Sequence, residues 1–323
     1  VVDRVLTDNL LIDPSVCEFW DYADADWICQ IVPMKRSTAE ATYNIKLDKA
    51  KSYEDSVDQQ MRPKEGRIAT GAANLEEDKQ IAILENDLIK VELTNKGGQV
   101  ARVTLKGYTN SKKELVQLGD SSSLSYAVNA GNNQTVQINQ VLFPIVNAST
   151  DQNGVQKIEY VWTAPNGKTI KHQFALAKGK FNIDWNITMD GADQLLTNNQ
   201  MNVLWDVHSY GQEKTTTYER QMSNICFSEG NEFDYISSNT NKVFEKPVQW
   251  VGLVQQFFST TVIYKDGFNS GKIDWQRKTD SSNGLASLQA QFQTKLAGSN
   301  VAMPLSLYYG PNDFQILKSQ APE

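Results

Sequence analysis

The sequence predicts an all-β protein of stacked antiparallel sheets, preceded by a charged tether and closed by a short C-terminal helix. Three observations predict it. Apolar and polar residues alternate with period two over many short segments. Turn residues such as Asn-Gly and Gly-Gly separate those segments, and no long amphipathic helical stretch lies between them. Strands that follow one another without helices pair as antiparallel sheets and bury their apolar faces in a sandwich or a barrel.

Residues 1–35 are mixed and aromatic, with Phe19, Trp20, Tyr22 and Trp27 close together, and carry no assignable pattern. Residues 36–80 are rich in Lys, Glu, Asp, Ala and Gln and nearly free of aromatics. Such a stretch reads as a tether, disordered or partly helical, with a helical piece from about Asp48 to Gln60. The β domain is expected over 81–319. Ile89, Val91 and Leu93 alternate with Lys90 and Glu92 as a half-buried strand. Asn95-Lys96-Gly97-Gly98 turns the chain, with glycines free to take positive φ. A second strand, in which Val100, Arg102 and Thr104 alternate with Ala101, Val103 and Leu105, makes a hairpin closed by Gly107-Tyr108.

The next hairpin is clearer. Ile158, Tyr160 and Trp162 share one face, Pro165-Asn166-Gly167-Lys168 turns, and Ile170, His172, Phe174 and Leu176 return. After Ala177-Lys178-Gly179-Lys180, the residues Phe181, Ile183, Trp185, Ile187 and Met189 alternate with Asn182, Asp184, Asn186 and Thr188. Further strands are expected at Asn202–His208, Val248–Leu253, Phe257–Tyr264, Ser287–Leu296 and Val301–Tyr309. Pro311-Asn312-Asp313 is suited to a helix start, so Pro311–Ser319 is expected to be helical.

Composition excludes some classes. The 323 residues carry a formal charge of -7, which disfavours nucleic acid or anionic lipid as the main partner. The longest apolar runs, Val141–Val146 and Trp250–Val254, fall far short of a helical membrane span. No signal peptide is visible and the chain lacks an initiator Met, so it reads as a fragment. Two readings stay open for Cys17 and Cys29, a disulfide in an oxidising compartment or two unrelated thiols. With two histidines and no Cys-x-x-Cys pair, no metal site is expected.

Candidate chemistry is sparse. His172 falls on an apolar face and reads as a satisfied core residue; His208 stands at a strand end in Trp205-Asp206-Val207-His208. Cys226 reads as a small buried residue rather than a nucleophile. No Gly-x-Ser-x-Gly elbow and no phosphate loop occurs. Trp250, Phe257 and Phe258 read as core residues of adjacent strands, with an exposed binding strip as the alternative. No catalytic, cofactor-binding or metal-binding residue is assigned, and partner-binding residues are unknown.

Four blocks carry a family resemblance over roughly Ile81 to Ser319. They are Glu85-Asn86-Asp87 with Asn95-Lys96-Gly97-Gly98 and Leu105-Lys106-Gly107-Tyr108; Asn166-Gly167-Lys168 leading to Phe174 and Leu176; Trp250 through Gln255-Gln256-Phe257-Phe258; and Leu307-Tyr308-Tyr309-Gly310-Pro311. Together they resemble the periplasmic domain of YidC-type membrane protein insertases. Tyr210-Gly211-Gln212-Glu213 looks closest to insertases of the Bacteroidetes type, which carry a charged tether before the domain.

The resemblance implies an antiparallel β-supersandwich of galactose mutarotase-like architecture on the periplasmic side of the bacterial inner membrane. It implies a non-catalytic role, aiding insertion and folding of inner-membrane proteins, alone or with the Sec translocon. Partners would be translocon subunits and nascent membrane proteins, the latter through a membrane core not contained in this chain. Pro311–Ser319 would be the segment leading into that core. The alternative is a carbohydrate-binding or mutarotase-like domain with a sugar-like ligand in a cleft; a secreted structural or adhesion protein is a further one.

Overall fold

The computed structural model describes residues 18–21, 26–28, 79–131, 134–278 and 283–320. The chain divides into two units, Val1–Ala72 and Ala73–Glu323. In the first, β1 (Glu18–Asp21) pairs antiparallel with β2 (Asp26–Ile28), where the sequence carries no assignable pattern. The expected tether, up to residue 78, and the Cys17–Cys29 question lie outside the described residues.

The second unit begins with β3 (Ile81–Glu85), β4 (Ile89–Thr94), β5 (Gln99–Thr109) and β6 (Leu115–Leu118), which form a four-stranded sheet in sequence order. Gly97 and Gly98, at φ 77° and 54°, make the β4–β5 turn that the sequence predicts. Gly107-Tyr108 does not close this hairpin. Both residues lie inside β5, and the chain turns at Asn110–Lys113 instead. Asn110 makes that turn: its side-chain oxygen accepts from the amides of Lys112 and Glu114.

The chain continues as β7 (Ser123–Gly131), β8 (Gln134–Gln137), β9 (Ile145–Thr150), β10 (Gln156–Thr163), β11 (Thr169–Leu176) and β12 (Asn182–Asp190). A single helical turn, α1 (Ala192–Leu195), leads to β13 (Gln200–Tyr210), and a short helix, α2 (Thr216–Met222), leads to β14 (Asn224–Glu229). Then come β15 (Glu232–Ile236), β16 (Thr240–Phe244), β17 (Val248–Val254), β18 (Phe258–Phe268), β19 (Ser270–Arg277), β20 (Gly284–Lys295), β21 (Asn300–Pro311) and a terminal helix, α3 (Phe314–Gln320).

The later strands build two large antiparallel sheets. One has nine strands in the order β15-β14-β17-β18-β21-β12-β11-β10-β9, and the other six in the order β16-β19-β20-β13-β7-β8. Alternation decides which side of each strand is buried. On β12 Ile183, Trp185, Ile187 and Met189 are buried while the residues between them reach water. The buried faces meet: Phe268 of β18 stacks on Phe292 of β20 with ring centroids 4.3 Å apart, and Tyr126 of β7 reaches His172 of β11. Each such side chain contributes roughly 1.5–3 kcal/mol by leaving water. The chain therefore forms the expected antiparallel β-supersandwich.

Two departures from regularity have local causes. Glu92 pairs with Arg102 but Leu93 with Val100, so Ala101 is a bulge. The bulge switches the inward phase, and Val100, Val103 and Leu105 are all buried. Pro304 sits in β21, a strand inside the large sheet, where the missing amide is ordinarily excluded. β18 pairs with β21 only from Ser306 onward, so on that side β21 is an edge at Pro304.

Candidate functional site

His172 is fully buried, and both ring nitrogens are engaged. Nδ1 donates to the Gly98 carbonyl at 2.8 Å, and Nε2 accepts from the Tyr126 hydroxyl at 2.7 Å. The carbonyl can only accept, which sets the tautomer. The ring stacks on Phe143 and meets the Trp185 edge, and burial lowers its pKa from 6.5 to about 4. Gly98 permits this contact, since a Cβ there would come within 3.0 Å of Nδ1. His172 is thus a neutral strut joining three sheets, as the apolar face predicts.

His208 lies within β13 rather than at a strand end, half-buried, with Nε2 3.3 Å from Asp206 Oδ1. Cys226 is half-buried, its thiol donates to Asn224 Oδ1 at 3.2 Å, and burial pushes its pKa up to about 11. A thiol so raised is almost wholly protonated near neutrality and a poor nucleophile. The structure brings none of these groups together.

The aromatic residues expected in the core divide. Phe258 is buried and meets Tyr108 edge-on. Phe257 is exposed because it falls in the turn between β17 and β18, not on a strand. Trp250 is half-buried on the outer face of the large sheet, 6.0 Å from exposed Phe233. Alternation puts Val251 and Leu253 inward and so leaves Trp250 outward.

The motifs behind the resemblance are structural joints. Asn86 donates to the carbonyls of Ala177 and Lys180 and accepts from the amides of Leu88 and Ile89. Asp87 accepts from Gly179 N at 2.9 Å, and that bond lowers its pKa. Together they tie the β3–β4 turn to the β11–β12 turn. In Tyr210-Gly211-Gln212-Glu213, the amides of Gln212 and Glu213 donate to the buried carboxylate of Glu219 on α2. Tyr308 donates to the Pro311 carbonyl at 2.6 Å, and a Cβ at Gly310 would strike that hydroxyl.

An open cleft of about 460 Å³ lies between the outer side of β3–β5 and the turn entering β7. Sequence reasoning assigned nothing to it. Its charged rim holds Lys79, Lys96 and Arg102 against Glu92 and Asp120. The Arg102 guanidinium lies 3.3 Å from Asp120 and 3.9 Å from Glu92. Ser121, Ser122, Ser123 and Asn139 complete the wall. Ser121 holds φ 56°, a left-handed conformation uncommon for serine. Buried Gln99 fixes the floor, accepting from Leu124 N at 2.9 Å. Below lies a chamber of about 10 Å³ that shares Gln99, Val100, Ser122 and Ser123 with the cleft and reaches Trp185, Trp205 and Tyr309. The only signal in the sequence was the hydroxyl run after Gly119-Asp120.

Comparison with known proteins places these features. The family model described as YidC periplasmic domain matches residues 81–323. The membrane protein insertase YidC of Azobacteroides pseudotrichonymphae is 25% identical over 261 residues, covering 77% of this chain and 41% of that protein. The one from Cytophaga hutchinsonii is 28% identical over 256 residues, covering 73% and 40%. The chain thus spans about two fifths of the length of these relatives. Among solved structures, a galactose mutarotase related enzyme from Lactobacillus acidophilus has a TM-score of 0.45 at 10% identity, over 71% of this chain and 97% of that one. A putative aldose 1-epimerase from Escherichia coli K12 has a TM-score of 0.46 at 9% identity, over 72% and 99%.

Proposed function

The chain belongs to the YidC periplasmic domain family, and from that premise we propose that it serves as a non-catalytic domain of a membrane protein insertase. The observation that carries this reading is the family match, which runs from the first strand of the supersandwich through α3. In this reading the domain stands on the periplasmic side of the bacterial inner membrane. The whole protein aids insertion and folding of inner-membrane proteins, alone or with the Sec translocon. Its partners are translocon subunits and nascent membrane proteins, the latter met by a membrane core outside this chain. α3 couples the supersandwich to that core.

The chemistry of the side chains supports a non-catalytic role. Acid–base work on a substrate needs a titratable group within hydrogen-bond reach of it. His172 is sealed and has both nitrogens occupied, and Cys226 is held protonated. Exposed Phe257, Phe314 and Leu317 near the end of the supersandwich offer apolar contact instead.

The test is photo-crosslinking in the full-length parent protein in its native membrane, with a photoreactive residue at Phe257 or Phe314. Adducts with translocon subunits or with nascent membrane proteins are expected. Their absence from both sites, and from a scan of the other exposed positions, would overturn the partner assignment. Polarimetry of sugar anomers with the purified chain tests the other half. The rate is expected to equal that of buffer, and acceleration would make the domain an enzyme.

A further inference from the structure

We propose that Asn153, at the tip of the β9–β10 hairpin, is a site of spontaneous deamidation, and that the fold directs the reaction there rather than to the other Asn-Gly pairs. This goes beyond the insertase reading and does not depend on it. The chain contains three such pairs, Asn153-Gly154, Asn166-Gly167 and Asn283-Gly284. In each, the glycine has no Cβ to keep its nitrogen from the neighbouring carboxamide. The Gly154 nitrogen loses its proton to hydroxide and attacks Asn153 Cγ. A nitrogen–carbon bond forms there, the carboxamide carbon–nitrogen bond breaks, and ammonia leaves. Water then adds to either carbonyl of the cyclic imide. One opening gives aspartate. The other gives isoaspartate, in which the main chain runs through the former side chain. In sum, one water is consumed and one ammonia released.

The three pairs differ in what holds them. Asn153 and Gly154 are exposed, nothing lies within 4 Å of where a Gly154 Cβ would stand, and the Asn153 carboxamide makes no hydrogen bond among the described residues. The attack needs the Gly154 amide to leave the Asp151 carbonyl, which it meets at 3.0 Å. The turn can open for this because β9 is an edge strand, exposed from Val146 to Thr150 and laddered only to β10 among the described residues. Asn166 joins β10 to β11, both inside the sheet; its side-chain oxygen accepts from Lys168 N at 3.1 Å, and Ala164 bonds to both Gly167 and Lys168. Gly284 is paired with Tyr210 at the start of β20 and its carbonyl accepts from Arg220, while the Asn283 carbonyl accepts from Gly211 N at 2.8 Å. The product alters its own turn. The Asp151 carboxylate caps the loop by accepting from the amides of Asn153 and Val155. A second carboxylate two residues away repels it, and isoaspartate adds a methylene to the main chain between the residues whose bonds close the loop.

The experiment incubates the purified folded chain in mildly alkaline buffer made with heavy-oxygen water. Mass spectrometry follows each Asn-Gly peptide, with fragmentation that separates aspartate from isoaspartate. Heavy oxygen and isoaspartate are expected at position 153, forming at least about tenfold faster than at Asn166 or Asn283. In urea the three sites are expected to react at similar rates, because they share the same dipeptide and only the fold tells them apart. Asn153→Gln requires a larger ring for the same attack, and is expected to remove the fast reaction with the thermal midpoint unchanged. Hydrogen exchange at Val155 is expected to speed up in the incubated chain and not in that variant. A rate at Asn166 or Asn283 equal to that at Asn153, product at position 153 without heavy oxygen, the same ranking in urea, or unchanged exchange at Val155 would each overturn the proposal.

Discussion

At the scale of single residues, the chain spends its polar side chains on joining turns and sheets. His172 carries a pH dependence whose sign follows from burial. Its folded pKa is lowered from 6.5 to about 4, so between those values the unfolded chain binds the extra proton. Stability is therefore full above about pH 6.5 and falls as the pH drops towards 4, by about 3 kcal/mol in all. Urea denaturation across that range is expected to show this loss, and His172→Gln, although less stable at neutrality, is expected to show a flatter profile. Asn86 is the second test. Its side chain makes four bonds to two turns, and Asn86→Ala is expected to cost about 3 kcal/mol in the same measurement. Asn86→Asp keeps the acceptor for Leu88 and Ile89 but not the donor to Ala177 and Lys180, so it is expected to fall between the two. The sequence exposed His172 as a core residue because its neighbours at i±2 are apolar. It concealed the partners, since Gly98 and Tyr126 lie 74 and 46 residues away.

At the scale of elements, periodicity located strands well and their ends less well. β12 and β21 were legible because four apolar side chains in the first and five in the second alternate without interruption. β9, β15 and β16 were not, because edge strands face water on more than one side and lose the alternating pattern: β15 is exposed at Glu232 through Tyr235. β5 was legible as a strand, but its inward phase was not, because the bulge at Ala101 depends on the register with β4. The start of α3 was legible from Asp313, whose carboxylate accepts from the amides of Gln315 and Ile316 at 2.9 and 3.0 Å. Asp313→Ala is expected to cost about 1 kcal/mol of helix stability. Hydrogen exchange should speed up at Gln315, Ile316 and Leu317 while the global unfolding midpoint stays in place, because a terminal helix opens locally.

At the scale of the whole Ala73–Glu323 unit, the sheets share one continuous apolar core. Phe268 against Phe292, and His172 with Tyr126, bridge the nine- and six-stranded sheets, and Gly98 brings in the four-stranded one. No sheet keeps its buried face if another leaves. Denaturant unfolding of this unit is expected to give coincident curves by tryptophan fluorescence and far-ultraviolet circular dichroism. Two separated transitions would mean that the sheets hold their structure independently. β15 and β16, three residues apart in sequence, end the nine- and six-stranded sheets respectively, so both sheets terminate at neighbouring segments with Phe233, Tyr235 and Val243 exposed.

The sequence by itself determined the all-β class, the chief strands with their inward faces, the turns at Gly97-Gly98 and Asn166-Gly167, and the family likeness that the match over 81–323 bears out. These are legible because each strand's alternation records which of its side chains must leave water, a property of that segment alone. Tertiary structure decided the order of strands in the sheets, the outward placement of Trp250 and Phe257, and the cleft whose walls come from Lys79, Arg102, Ser121 and Asn139. Backbone hydrogen bonds are chemically alike for any pair of strands, so partner choice is settled only by how the whole set of buried faces packs together.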